Sequence, residues 1–330
     1  MTGGPDISVI IATRNRCESL QETLEDLRQQ TIVEGEATYE VLVVDNHSTD
    51  DTRPTVERIA RAYPVALRYL VEERRGRVFA LNRGLSGATG AIIAFTDDDV
   101  RLGRAWIATI SRTFRAYHAD GIGGPVRPLW IGERPRWLQD RFVRQLGVVD
   151  HGADVFQVTD ESAGFIGPNS AWKRSLFASL GGFDEGRVNN SEDVEWFLRV
   201  FRAGYTLIYQ PEMALSHKID PARWTKRALA RRFFRQGRAC ALGLQERGTD
   251  RAVCRVPLWV VRFYLGLHWQ ALRCRMRGEA DEALWHWLRR YYYLGAIVYC
   301  FKDWLTRQPT HRPRPVVVQI EFGDTIPISR

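Results

Sequence analysis

Short apolar segments alternate with segments of helical periodicity through the first hundred residues of this chain. The apolar segments predict strands over residues 7–12, 40–44, 66–71 and 91–95. The segments between them predict helices over residues 19–30, 50–62 and 77–87. Strands that alternate with helices are typical of a parallel sheet covered by helices. We therefore predict an α/β fold with a mostly parallel central sheet flanked by helices.

Polar residues directly follow three of the predicted strands. They are Thr13, Arg14 and Asn15 after the first strand, Asp45 after the second, and Asp97, Asp98 and Asp99 after the fourth. In parallel sheets, ligands bind beyond the carboxyl ends of the strands. We therefore expect the three groups to meet in one crevice.

The three consecutive acids after the fourth strand point to a cation. Adjacent carboxylates repel one another, and holding them against a core costs free energy that a divalent cation removes. Side chains alternate along an extended segment, so Asp97 and Asp99 project to one side and Asp98 to the other. This arrangement predicts Mg2+ or Mn2+ bound together with a diphosphate. The alternative is a solvated acidic loop.

Two further segments carry candidate ligand-binding residues. Asp45 could accept hydrogen bonds from a nucleobase or a ribose hydroxyl, whereas Ser48 and Asp50 are better suited to capping the next helix. In the segment 76–84, Arg77 and Arg83 could contact phosphates, and Asn82 is a further candidate for binding the same ligand. The alternative for this segment is an ordinary solvated helix face.

Glu192 and Asp193 open a predicted helix over residues 191–203. Acids in a first turn are favoured by the helix dipole, so capping alone would explain them. The functional hypothesis makes Asp193 a general base that takes a proton from an attacking hydroxyl, with Glu192 beside it as a ligand-binding residue. His217 follows Ala214, Leu215 and Ser216, just past a strand, where it is either a structural histidine or a residue that ligates the metal or touches the diphosphate.

The net charge of +8 conceals two parts of opposite sign. Residues 1–217 carry 25 Lys+Arg and 30 Asp+Glu, a net charge of −5, whereas residues 218–330 carry 22 and 9, a net charge of +13. We predict a catalytic domain over 1–217 and a basic helical region over 218–330.

The five cysteines show neither disulfide nor metal-ligand spacing, and the first residues lack the pattern of a signal peptide. These features predict a cytoplasmic protein.

The basic region predicts helices over residues 222–247, 255–277 and 279–307, and a β-like segment over 316–320. Its apolar run over 291–301 is shorter than the roughly 20 residues that span a bilayer. Two hypotheses remain open for these helices. They lie on an anionic membrane, at the inner face of the plasma membrane, or they pack on the catalytic domain or a second subunit as a homodimer. No nucleic-acid-binding module is recognised, and we do not expect nucleic acid as a partner.

The order of these motifs resembles family 2 glycosyltransferases of the GT-A fold, whose central sheet is Rossmann-like. The matching segments are ISVIIATRNR at 7–16, VVDN at 43–46, FTDDD at 95–99, GGFD at 181–184, and SEDVEW at 191–196, continuing to His217. The resemblance covers about residues 6–240. The Gln-x-x-Arg-Trp element of processive synthases is missing, which favours a transferase that adds one sugar.

The resemblance implies a role for each matching position. Thr13, Asn15 and Asp45 would hold the nucleoside. Asp97 would lie near the ribose and Asp99 on the metal, with Asp98 as a rival ligand. Asn169 would lie near the transferred sugar or the acceptor.

The expected activity is metal-dependent, inverting transfer of one sugar from a nucleoside-diphosphate donor to a hydroxyl acceptor. The acceptor would be a glycolipid, a polysaccharide or another glycan precursor. Asp193 would be its base. Two alternatives stay open: a metal-dependent sugar nucleotidyltransferase, and a non-catalytic protein that docks on membranes.

Overall fold

The computed structural model describes residues 4–32, 37–165, 167–187, 192–247 and 252–306. The chain divides into two compact units. The first comprises Met1–Ile131 and Gly147–Ile219, and the second comprises Gly132–Leu146 and Asp220–Arg330. Residues 132–146, which the sequence assigned to the first domain, group with the second unit. The β-like segment predicted over 316–320 lies outside the described residues.

The structure contains the following elements in chain order. The strands are β1 (Ile7–Thr13), β2 (Tyr39–Asp45), β3 (Leu67–Val71), β4 (Ile92–Asp97), β5 (Val100–Leu102), β6 (Gly121–Gly123), β7 (Val126–Trp130), β8 (Phe156–Gln157), β9 (Ser170–Lys173), β10 (Leu207–Tyr209), β11 (Leu215–Ile219), β12 (Ala252–Val253) and β13 (Val256–Pro257). The helices are α1 (Cys17–Arg28), α2 (Thr52–Ala60), α3 (Arg77–Gly87), α4 (Trp106–Tyr117), α5 (Asp140–Val143), α6 (Arg174–Leu180), α7 (Glu192–Arg202), α8 (Lys226–Arg247), α9 (Leu258–Met276) and α10 (Ala280–Thr306).

A large mixed sheet forms the centre of the first unit. Its order within the described residues is β3-β2-β1-β4-β9-β6-β10-β8. The strands β3, β2, β1 and β4 run parallel, and β9 inserts antiparallel between β4 and β6. The prediction of an α/β fold with a mostly parallel sheet and flanking helices is confirmed. The antiparallel insertion of β9 was not predicted, because pairing partners far apart in the chain leave no local pattern.

A smaller sheet, β5-β11-β7, lies in the same unit. The single strand expected over residues 121–126 is instead split between the two sheets. Pro125 stands between β6 and β7 and has no backbone N–H to donate, so it interrupts the ladder of the large sheet. His217, expected just past a strand, lies within β11 and opposite Val100 of β5.

The core of the first unit explains why its first strands are apolar throughout. Ile7, Val9 and Ile11 of β1 point to one side of the sheet, and each is fully buried. Leu20, Leu24 and Leu27 of α1 cover that side, also without exposure. Because both faces of the parallel strands are covered, the polar residues of β1, β2 and β4 concentrate at their ends.

The second unit is built mainly of the three long helices predicted from the basic region. Helix α10 packs against both α8 and α9. Helices α8 and α10 approach closely because glycines face the partner backbone: a Cβ at Gly237 would lie 2.0 Å from the Tyr292 carbonyl oxygen. In the part of the chain that the structure describes, no helix has the length and apolar character needed to cross a membrane.

Candidate active site

The carboxyl ends of β1, β2 and β4 meet at one edge of the large sheet. Thr13 lies opposite Asp45, and Ala12 lies opposite Asp97. The chain progresses from β1 to β3 on one side of β1 and returns to place β4 on the other side. Such a reversal opens a crevice between neighbouring strand ends, where ligands of α/β proteins bind. The structure therefore brings the three predicted polar groups together.

Asp97, Asp99 and His217 form a cluster suited to a divalent cation. One ligand atom from each lies within 4.8 Å of the others. His217 Nε2 is 3.1 Å from Asp99 Oδ1, and both residues are buried. The pairing of β11 with β5 carries His217 to this position, and the Lys218 N–H donates to the Asp99 carbonyl at 2.8 Å. Two carboxylates and an imidazole are donors that Mn2+ accepts, and carboxylates also suit Mg2+. These residues fit the expected ion.

Asp98 is not one of the three clustered residues, and it has other partners. Thr13 Oγ1 donates to Asp98 Oδ2 at 2.7 Å, and Arg16 Nη1 lies 3.3 Å from Asp98 Oδ1. Burial raises the pKa of Asp98 to about 6, although the charge of Arg16 opposes the shift. Thr13, expected on the nucleoside, is thus a buried hydrogen-bond partner of Asp98 in this structure.

The raised pKa of Asp98 predicts a pH-dependent stability. Because the folded state disfavours the charged form of Asp98, ionisation of this acid destabilises the protein. The loss of stability develops as the pH rises from the unfolded pKa of 3.8 through the folded pKa of about 6. Asp98→Asn should therefore stabilise the metal-free protein at pH 7.5 by up to about 3 kcal/mol relative to wild type. The gain should shrink as the pH falls towards 4. Urea unfolding in EDTA at pH 4.5 and 7.5 measures it.

The exposed acid Glu57 provides the control for this comparison. Its side chain is half exposed and pairs only with the exposed Arg53 among the ion pairs of the described residues. Glu57→Gln should change the stability little at either pH. An Asp98→Asn effect of equal size at both pH values would contradict a titrating buried carboxyl.

Arg77 connects the metal cluster to the beginning of α7. Its Nη2 lies 2.6 Å from Asp97 Oδ1, and its Nη1 lies 2.9 Å from Glu192 Oε1. Burial raises the pKa of Glu192, and the charge of Asp193 adds to the shift while that of Arg77 opposes it. Arg77 was expected on the donor phosphates. Here its guanidinium bridges two acids, which fixes the distance between β4 and α7.

Asp193 stands in the first turn of α7 and is partly exposed, whereas Glu192 is buried. The Gly167 N–H donates to Asp193 Oδ2 and the Val194 N–H to Asp193 Oδ1, both at 2.9 Å. Two backbone donors therefore fix the orientation of the carboxylate. A side chain at Gly167 would press on this carboxylate, because a Cβ there would lie 3.1 Å from Asp193 Oδ2. An oriented, accessible carboxylate is what a general base requires.

Asp45 and Asn15 shape the crevice on the side of β2. The Ser48 N–H donates to Asp45 Oδ1 at 2.8 Å, and the Tyr69 hydroxyl donates to Asp45 Oδ2. Asn15 has a positive φ of 52°, and its side-chain oxygen accepts from the Thr49 N–H at 2.7 Å. Asn15 therefore joins the loops that follow β1 and β2. These bonds place both residues at the rim where the nucleoside was expected.

Asn82 and Asn169 hold backbone segments in this structure. Asn82 Nδ2 donates to the Phe183 carbonyl, and the Phe183 N–H donates back to Asn82 Oδ1, both at 2.9 Å. Asn169 is fully buried; its Oδ1 accepts from Trp106 Nε1 at 2.9 Å, and its Nδ2 donates to two backbone carbonyls. A contact of Asn169 with a sugar stays a prediction, since its amide is engaged by protein groups.

Arg16 and Tyr69 were missed by the sequence reasoning. Arg16 pairs with Asp98 and Asp99, and Tyr69 donates to Asp45. Burial raises the pKa of Tyr69, with the bond to Asp45 adding to the shift, so the phenol remains a donor. Arg16 lies three residues after the end of β1, at the edge of the sheet where the acids were predicted. A positively charged side chain at that position could have been identified as their partner from the sequence. The sequence gives no such indication for Tyr69, because an aromatic residue within β3 fits the pattern of an ordinary strand.

Comparison with known proteins identifies the family. The model of glycosyl transferase family 2 matches residues 8–181, more than half of the chain. This chain is a member of glycosyl transferase family 2. The match confirms the resemblance drawn from the motifs, and the chain is a glycosyltransferase.

Relatives of the same family extend over most of the chain. Glycosyltransferase AglE of Haloferax volcanii is 27% identical over 268 residues, which cover 79% of this chain and 82% of AglE. The glucosyl-dolichyl phosphate glucuronosyltransferase of the same organism is 27% identical over 241 residues, covering 70% of this chain and 75% of that protein. Both matches are longer than residues 1–217, so they extend into the C-terminal part of this chain.

A solved structure supports the fold. The mannosyltransferase PcManGT from Pyrobaculum calidifontis, in complex with GDP-Man and Mn2+, is similar with a TM-score of 0.61 and 24% identity. The match covers 92% of this chain and 88% of that one. The predicted GT-A fold is confirmed.

Proposed function

We propose that this family 2 member transfers a single sugar from a nucleoside-diphosphate donor to a hydroxyl acceptor, with inversion and with the help of Mg2+ or Mn2+. One observation carries the proposal: Arg77 bridges Asp97 of the cation cluster and Glu192, the immediate neighbour of Asp193. Groups suited to a metal-bound diphosphate and a group suited to deprotonate an acceptor therefore stand on two sides of one guanidinium. A displacement with inversion needs both groups at one reaction centre, with the ion at the leaving diphosphate of the donor and the base at the acceptor hydroxyl.

The residues of this chain would divide the work as follows. Asp97, Asp99 and His217 would hold the ion, which when bound neutralises charge on the leaving diphosphate. Asp193 would accept the proton of the acceptor hydroxyl at a carboxylate oxygen held by backbone N–H groups. Asp45 and Asn15 would border the nucleoside at the ends of β2 and β1. Arg77 would keep the two halves of the site in register.

We further propose that the acceptor is lipid-linked and that the protein works in the cytoplasm at the inner face of the plasma membrane. Two observations support this. The name of one relative contains glucosyl-dolichyl phosphate, a lipid-linked sugar. The C-terminal part has a net charge of +13 over residues 218–330, which attracts anionic lipid surfaces. A homodimer through the C-terminal helices is the alternative use of that region.

Donor binding and product release test the proposed activity. The protein is heated with a panel of nucleoside diphosphates and nucleotide sugars, with and without Mn2+. We expect one base to raise the melting temperature by several degrees, only with the ion, because a ligand that binds the folded state alone stabilises it. The matching nucleotide sugar should release nucleoside diphosphate. Release of a triphosphate after addition of pyrophosphate would instead support the nucleotidyltransferase.

A further inference from the structure

Large apolar side chains are exposed mainly in the second unit. The most exposed large apolar side chains in the described ranges are Met276 (70%), Trp269 (68%), Val253 (61%), Leu305 (58%) and Leu265 (55%). All five belong to the second unit. In the described part of the first unit, Tyr117 at 45% is the most exposed. An apolar surface of this kind marks a place where another molecule binds.

The exposed residues of α9 form one stripe. They are Leu258, Leu265, Trp269, Leu272 and Met276. Successive residues of a helix are separated by about 100°, so these five side chains lie within about 60° of one another. Val260 and Leu267, which are buried, lie on the opposite side of the helix. Helix α9 therefore has two apolar faces, of which one is covered by its own unit and the other faces outward.

A cationic groove adjoins this stripe. It has a volume of about 570 Å3, lies between α9 and α10, and shares Leu272 with the stripe. Its apolar lining includes Leu284 and Trp287. Its charged or titratable lining residues are Lys226, His268, Arg275 and Arg290. Arg290 Nη1 lies 2.8 Å from His268 Nδ1, which joins α10 to α9 across the groove.

The charges decide which occupant suits this surface. Helix α9 carries Arg262, Arg273 and Arg275 and contains neither Asp nor Glu. The residues that line the groove in the described part of the chain likewise include no acid. Two copies of α9 packed face to face would oppose arginine to arginine, which disfavours self-association. An anionic amphiphile satisfies both the apolar stripe and the cationic groove.

We propose that the outward face of α9 docks on an anionic phospholipid bilayer and that a lipid phosphate binds in the groove between α9 and α10. Arg275, Arg290 and Lys226 surround the phosphate, while Trp269, Leu265 and Met276 enter the interface. This inference deepens the proposed function and rests on it only in assigning the acceptor to the same membrane. Lipid binding itself requires no transfer activity.

Co-sedimentation with vesicles tests the proposal on the full chain. We expect binding to vesicles that contain equal parts of phosphatidylcholine and phosphatidylglycerol, and little binding to phosphatidylcholine alone. Trp269→Ser should weaken binding about tenfold or more, because it removes a large apolar contact. Arg275→Gln should weaken it about fivefold, since each basic residue near the surface contributes on that scale. High salt should weaken the wild type as well.

Matched variants separate docking from general effects. Arg231→Gln removes an exposed arginine of α8 that does not line the groove, and Tyr117→Ser removes an exposed aromatic residue of the first unit. Both should bind vesicles like the wild type, and the melting temperature of each variant reports whether it is folded. Equal binding to neutral and anionic vesicles would overturn the proposal. So would a dimer in solution that Trp269→Ser dissociates.

The same preparations distinguish this inference from the proposed activity. Nucleotide-induced thermal shifts are measured without vesicles, in wild type and in Trp269→Ser. Vesicle binding without any nucleotide shift would support the docking face and refute the transferase proposal. A nucleotide-induced thermal shift without vesicle binding would support the transferase proposal and refute the docking face.

Discussion

We expect Asp193→Asn to abolish sugar transfer, with a loss of about a thousandfold or more, while the donor still binds. General-base catalysis contributes on the order of a hundredfold to ten-thousandfold, and an amide cannot accept the proton. Donor binding should persist because the cation cluster and the β1 and β2 loops do not include this side chain. The measurements are the rate of nucleoside diphosphate release with acceptor present and the thermal shift with nucleotide and Mn2+.

The substitution also has a structural cost that the experiment must separate. Both oxygens of Asp193 accept backbone N–H bonds, and an asparagine can accept only one of them. A loss of about 1–3 kcal/mol in unfolding free energy is therefore expected. A preserved nucleotide shift shows that the variant is folded. Glu57→Gln, an exposed acid-to-amide change on α2, should keep full activity.

Glu192 is the rival base, and the two acids differ in accessibility. Glu192 is 4% exposed and bound to Arg77, whereas Asp193 is partly exposed. If Glu192→Gln abolished transfer at unchanged donor affinity while Asp193→Asn remained active, the base would be misassigned. We expect Glu192→Gln to disturb the position of α7 relative to the cation cluster, because it weakens the link from Glu192 through Arg77 to Asp97.

We expect Asp99→Asn to eliminate metal-dependent donor binding and to reduce transfer by about a hundredfold or more. Asp99 is buried and contacts His217, so its carboxylate is central to the cation cluster. Neutralising it removes a charged oxygen ligand from a site that holds a divalent ion. The direct measurement is Mn2+ binding followed by electron paramagnetic resonance of the free ion. EDTA should reproduce the loss in the wild type, and added Mn2+ should restore it.

A comparison with Asp98→Asn makes this prediction specific. Asp98 faces Thr13 and Arg16 and is not among the three clustered ligands. Asp98→Asn should change the affinity of the protein for Mn2+ far less than Asp99→Asn does. Equal losses in the two variants would show that general acidity, and not the Asp97–Asp99–His217 cluster, holds the ion. Unaltered Mn2+ binding in Asp99→Asn would refute the metal site.

The local patterns of the sequence were sufficient for most elements of the fold. The helix predicted over residues 77–87 begins and ends where α3 does, and the strands β1 to β4 lie within two residues of their predicted bounds. Burial with a period of 2 or 3.6 residues is a local property, so short windows reveal it. The edge of the sheet where Thr13, Asp45 and Asp97 meet was also predictable, because carboxyl ends of parallel strands coincide.

The pairing of distant segments was not predictable. His217 reaches Asp99 only because β11 pairs with β5, and Arg77 reaches Glu192 only because α7 packs near the end of β4. Residues 132–146 join the second unit through contacts that no local composition indicates. None of these contacts leaves a periodic signal in the sequence.

The sequence by itself determined the fold class, the family and the cluster of acids after β4. These depend on the order of residues within short segments, where burial and charge act between near neighbours. Only the tertiary structure decided which acid faces the cation cluster, which arginine joins the two halves of the site, and which face of α9 is exposed. Those outcomes depend on contacts between segments far apart in the chain, and their geometry exists only once the chain is folded.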